Sequence, residues 1–138
     1  VSETILTFSE DIASAEKPPL LPIGEYIAEI RGAEVKESNT TGNKYVSVQF
    51  VVNPENYPVD FDPANAPDGK TFTYNRLSAE DDMRARWNMR KFCSAIGAQM
   101  AKEIDVSQWV GLTAKISIRH TPYEGEDREE VGKVGSAE

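Results

Sequence analysis

Alternation of apolar and polar side chains, the signature of a half-buried strand, starts at Gly24. Tyr26, Ala28 and Ile30 point one way and Ile27, Glu29 and Arg31 the other. Gly32 marks a bulge that lets this first strand bend and run on through Val35. The polar stretch from Asn39 to Asn43, with Gly42, has hairpin-loop chemistry. It leads into a second strand, Lys44 to Asn53, with Val46, Val48, Phe50 and Val52 on the inward face and Tyr45, Ser47, Gln49 and Val51 outward. Four prolines between residues 54 and 69 make a long loop that is functional or mobile. A third strand follows from Lys70 to Leu77, alternating Phe72, Tyr74 and Arg76 against Thr71, Thr73, Asn75 and Leu77.

Beyond Ser78 the period changes from two to 3.6. Ser78 can cap a helix from about Ala79 to Ile96 or Met100, with Glu80, Asp81 and Asp82 at the positive end of its dipole. Ala85, Met89, Phe92, Cys93, Ile96 and Met100 share one stripe and form the core face. Met83, Trp87, Arg90 and Ser94 lie on the opposite side, where Trp87 is either covered by another segment or a contact surface. Trp109-Val110-Gly111 opens a fourth strand with Leu112, Ala114, Ile116 and Ile118 inward and Lys115 and Arg119 outward. Residues 122–127 read as a turn, and Glu129 to Val134 as a weak fifth strand. The expected fold is therefore mainly β with one helix, in the order β-β-β-α-β-β. That is the connectivity of a five-stranded OB-like barrel, the alternative being another small α+β sandwich with the same order. Residues 1–22, interrupted by Pro18, Pro19 and Pro22, form an N-terminal arm. Residues 23–134 form a single domain, and 135–138 a short C-terminal end.

A 138-residue chain with 39 % hydrophobic residues can fill one core, and nothing in it reads as a bilayer span or a secretory signal. The expectation is a soluble, cytoplasmic protein. A single cysteine, Cys93, and a single histidine, His120, exclude an internal disulfide and the usual Cys/His zinc sites. They also leave little for nucleophilic catalysis. Asp60, Asp62 and Asp68 lack the spacing of a calcium loop and read as solubilising residues. No cofactor, metal or enzymatic activity is expected.

The formal net charge of −8 is unevenly spread: residues 70–123 carry nine bases and five acids, whereas the flanking stretches are acidic. The basic block interleaves Arg76, Arg84, Arg86, Arg90 and Lys91 with Phe72, Tyr74 and Trp87. Cations that track phosphates beside rings that stack on bases are how single-stranded nucleic acid is held. Outward positions on the other strands, Arg31, Lys44, Tyr45, Lys115 and Arg119, would add to such a face. Taken singly, each ring reads as core and each cation as ordinary solvated surface. The stretch 124–130, with five acids and one base, is either a charged hairpin turn or a segment that competes for a cationic groove and recruits replication or recombination proteins.

With these elements in place, the chain resembles the small phage-encoded single-stranded-DNA-binding proteins of OB-fold type. The resemblance rests on the run Leu21-Pro22-Ile23-Gly24-Glu25-Tyr26 opening the first strand and on the turn and strand from Ser38 to Phe50. It extends to the helix after the third strand, to Trp109-Val110-Gly111-Leu112, and to the hairpin from His120 to Val134. It implies non-enzymatic binding of exposed DNA strands in phage replication or recombination, in the host-cell cytoplasm. The competing class is a structural or protein-interaction module, such as a virion component, that uses the arm and Trp87 and binds no nucleic acid. Oligomeric state stays open.

Overall fold

The computed structural model describes residues 4–137. Five strands, β1 (Gly24–Glu37), β2 (Lys44–Val52), β3 (Lys70–Ser78), β4 (Thr113–Tyr123) and β5 (Glu126–Gly135), and one helix, α1 (Met83–Ile96), follow each other with α1 between β3 and β4. All ladders are antiparallel, in the order β3-β2-β1-β4-β5. The sheet is not closed by a ladder, yet its two edges meet. Lys70 of β3 pairs with Glu129 of β5 at 2.9 Å. Further along, the Arg76 guanidinium donates to the carbonyls of Val131 and Gly132. The numbering rises together on both edges, so β3 and β5 run in the same direction across this seam.

β1 is the long central strand and is shared lengthwise. Its first half, Gly24 to Glu29, pairs with β4, and its second half, Glu29 to Glu37, with β2. The extra residue of its bulge is Arg31, one position before the expected Gly32, because Ile30 faces Phe50 and Gly32 faces Gln49. The inward faces are the expected ones: Tyr26, Ala28, Ile30, Val46, Val48, Phe50, Val52, Ala114, Ile116 and Ile118 are all buried. At roughly 1.5–3 kcal/mol per buried large aliphatic or aromatic side chain, this set fixes the register of the three central strands.

Four local expectations are corrected. In β3, Asn75 and Arg76 together oppose Ser47, and this bulge reverses the alternation. Leu77 turns into the core and Arg76 leaves the face of Phe72 and Tyr74. The helix starts at Met83, because Asp82 accepts from the Ala85 amide at 2.8 Å. Ser78 instead ends β3, and the β2–β3 pairing is prolonged through Ala79 and Glu80, which bond to the backbone of Lys44. Trp109 lies in a short 3-10 turn before β4, 2 % exposed and against Phe92. Finally, β4 and β5 form one long hairpin with only Glu124 and Gly125 at the turn, both at positive φ.

The loop 54–69 is anchored. Phe61 is buried and meets Tyr57 edge to face at 4.9 Å, and the Tyr57 hydroxyl donates to the Ala66 carbonyl. At Gly69 (φ 101°) a β-carbon would lie 2.6 Å from a methyl group of Val51. Only glycine allows this approach. The loop thereby covers Val51, which is 2 % exposed although it sits on the outward side of β2. Ser47, also expected outward, is buried as well.

No helix among the described residues is long and apolar enough to cross a membrane. His120 is a structural group, its Nε2 bonded to the Leu21 carbonyl at 2.7 Å.

Candidate nucleic-acid interface

The β1–β2 loop is a compact turn. The Ser38 amide donates to the Asn43 carbonyl and the Gly42 amide to the Ser38 carbonyl, so Lys44 emerges in a fixed direction at the start of β2. Tyr45 is half-buried, between Lys36 of β1 and Ser78 of β3. The β3 bulge then swings Arg76 toward this end of the sheet. Lys44, Tyr45, Asn75 and Arg76 line one shallow depression of about 520 Å³ beside the loop.

A second groove, about 470 Å³, runs along the seam between β3 and β5. Tyr74, Asn75 and Arg76 line one wall and Asp127, Arg128, Glu129 and Glu130 the other, with Lys17 of the arm at its border. Asn75 and Arg76 belong to both depressions, so the two form one track. Arg76 sits over the Tyr74 ring at 5.1 Å, and Arg128 over Tyr123 at 4.3 Å on the β4–β5 hairpin. Arg76's two backbone bonds use only one guanidinium nitrogen. A guanidinium has five N–H donors in a planar fork, so others can face a phosphate.

The remaining residues named from sequence fall elsewhere. Phe72 is 7 % exposed and belongs to the core; as a stacking ring it is corrected, because its face is already covered. Tyr74 is half-buried and lies parallel to Phe92, with ring centroids 6.1 Å apart. Its role in the groove is at most an edge. Lys115 and Arg119 are on the same outward side as Tyr45 but beside the opposite half of β1, Lys115 facing Ile27. Tyr45, by contrast, faces Lys36, roughly 25–30 Å away at about 3.3 Å per residue of strand. The single cluster expected on the outer face is thus two separate ends. Arg119 is held by Glu130 at 3.2 Å, and that hydrogen bond pulls the Glu130 carboxyl below its ordinary pKa. Arg31, extruded at the bulge, is exposed near neither cluster's centre. Trp87 is 55 % exposed, with Arg90 near its ring at 5.9 Å.

The acidic stretch 124–130 is hairpin. Glu126, Glu129 and Glu130 already pair with Lys17, Lys70 and Arg119. Sequence reading missed Arg128 and Lys17 as groove residues. The signal for Arg128 lay in Glu124-Gly125, the two-residue turn that folds β5 back along β4 and brings Arg128 over the Tyr123 ring.

No curated protein matches the chain. Residues 8–131 match a family described as a protein of unknown function, DUF669. Since this match spans the arm from Phe8, all of β1 to β4 and β5 as far as Val131, the chain belongs to the DUF669 family.

Proposed function

We propose that this protein binds single-stranded DNA without catalysing a reaction, on an OB-like barrel, along the track from the β1–β2 loop across Lys44, Tyr45 and Arg76 to the β4–β5 hairpin. The observation that carries this reading is the convergence of Lys44, Tyr45 and Arg76 in one depression beside that loop. OB folds bind oligonucleotides on the face of their second and third strands, between the first hairpin loop and the loop joining the last two strands. The sheet order and the same-direction approach of β3 and β5 favour the barrel. The choice of this face rests on fold-level analogy. The chemistry is local: cations for phosphate, a half-exposed tyrosine for a base, and no need for a metal. Work on exposed strands in phage DNA replication or recombination follows from the sequence resemblance alone.

Fluorescence anisotropy of a labelled oligo-dT strand at two salt concentrations tests the proposal. The expected result is binding that prefers the single strand to duplex and weakens with salt as counterions are displaced from contacted phosphates. Absence of binding at low salt, or equal affinity for duplex, overturns it. The second reading is a protein-interaction module. It is favoured by Trp87 and Met83, 55 % and 80 % exposed on the outer side of α1, a patch that no phosphate contact requires.

A further inference from the structure

Two apolar features of the molecule lack a partner within the described chain. One is the arm: Ile5, Leu6, Phe8 and Ile12 are 61–80 % exposed. The other is a groove of about 900 Å³ between α1, the last residues of β1 and the segment 100–106. Its floor is apolar, with Val46, Ala85 and Cys93 buried in it, and Val35, Met100 and Ile104 stand exposed at its mouth. Val35 pairs with Val46 on the inward side of the sheet, so its exposure is that of a core position left uncovered. Exposed apolar surface of this kind marks an interaction site.

We infer that this groove receives residues 5–12 of a second copy of the chain. Charge complementarity supports that occupant. Residues 4–16 contain Glu10, Asp11 and Glu16 and no base. The groove's rim carries Arg86, Arg90 and Lys102 against Glu80 and Asp81. Asp81 is taken by Arg86 at 2.6 Å, and Glu80 accepts from the Lys44 amide, which leaves Arg90 and Lys102 for the arm.

The tether argues for a second copy over the chain's own arm. Lys17 donates to the Asp127 carbonyl and Leu21 to Glu129, so the arm leaves the domain where β1 begins, while the groove lies where β1 ends. Gly24 and Val35 are separated by roughly 30–35 Å of strand at about 3.3 Å per residue. Ile12 lies five residues from Lys17, a reach of at most about 18 Å. Ile12 therefore has the shortest tether of the four toward the groove of its own domain, whereas a neighbour's groove can take all four side chains at once. Pro18, Pro19 and Pro22 stiffen the exit, which favours an arm projecting to a neighbour. Reciprocal exchange between two copies closes the assembly as a dimer.

Sedimentation velocity of the full chain over a concentration series, without DNA, reads the association. The wild type should self-associate, and the Leu6→Ser/Phe8→Ser double variant and Met100→Glu should each raise the dissociation constant at least tenfold. All three side chains are exposed, so thermal melts should be unchanged. As a second readout, Phe8→Cys and Met100→Cys are made separately and oxidised after mixing. A disulfide-linked pair of chains formed only on mixing supports the exchange. A wild type that stays monomeric throughout, a Leu6→Ser/Phe8→Ser variant that associates as the wild type does, or a chain carrying both cysteines that closes on itself at low concentration overturns it.

Discussion

The two ends of the sheet's outward side carry similar residues and differ in what holds them. At the end where β1 pairs with β2, Lys44, Tyr45 and Arg76 share a depression with one acid, Glu37, which faces Lys44 across the ladder, and Lys44 has no side-chain hydrogen bond or ion pair among the described residues. At the end where β1 pairs with β4, Arg119 is tied to Glu130 and Lys115 faces Ile27 across the ladder. Glu25 and Glu29 alternate along the same side of β1 there. A cation already paired on a sheet surface gains little from a phosphate, since binding must first break the pair. A cation in a concave site beside an aromatic ring meets phosphate and base together. The lesson is that counting outward bases overstates a binding face; what matters is how many converge with their charge unspent.

The largest effect is expected of Tyr45→Ala. A base stacked on an aromatic side chain is worth about 1–3 kcal/mol, so affinity for oligo-dT should fall about tenfold or more. The thermal midpoint should move little, because the ring is half-exposed. A variant that melts much earlier and binds as before makes Tyr45 a packing residue and removes the distinction between the ends.

Arg76→Ala should act on both binding and fold. Losing one phosphate contact should weaken binding severalfold at every sequence and lower the slope of log affinity against log salt by about 1. Losing the hydrogen bonds to Val131 and Gly132 should cost about 1.5–3 kcal/mol of stability, the range for hydrogen bonds to a charged group. Chemical denaturation beside the titrations separates the two. If stability falls and the salt slope holds, Arg76 is only a clasp between β3 and β5.

What could be read from the chain was set by periodicity. The inward rows of β1, β2 and β4 follow strict alternation, and a one-residue slip would expose each of them, so they were legible. Where the backbone breaks its own period they were not. Leu77, apolar and out of phase with Phe72 and Tyr74, was the visible trace of the Asn75–Arg76 bulge. It could equally have been an exposed leucine. Ser78, Asp81 and Asp82 are all competent caps, and tertiary pairing of Ala79 and Glu80 with Lys44 decided among them. The site was half legible. Alternation gives the side of the sheet that a residue faces, but not which half of a shared strand lies beside it. Tyr45 and Lys115 were for that reason merged into one face.

Lys115→Ala tests the other end. Since Lys115 lies beside Ile27, away from the depression, affinity for oligo-dT should change less than about twofold, the scale of a distant charge screened at physiological salt. Arg119→Ala should behave alike, with a stability change of about 0–1 kcal/mol, as for other surface pairs. A tenfold loss in either would extend the interface over the whole outward side and erase the contrast.

The smallest effect reports on the contrast most directly. Glu130 titrates below its ordinary value, first because Arg119 hydrogen-bonds its carboxylate, with Arg119 and Arg76 adding charge. A carboxyl whose folded pKa is depressed stabilises the fold above its unfolded pKa, and that contribution is lost as pH falls through the folded value. Arg119→Ala should raise the Glu130 pKa toward the usual carboxylate range, and Arg76→Ala should raise it less; both can be followed by NMR titration of the side-chain carboxyl. The same titration with saturating oligo-dT then separates the two ends. Glu130 lines the seam groove, so phosphates lying there raise its pKa by like charge; if Arg119 stays with Glu130, oligo-dT should raise the pKa by about as much in the wild type as in Arg119→Ala. A clearly larger rise in the wild type would mean that Arg119 has left Glu130 for a phosphate, and the far end would have to be counted as part of the interface.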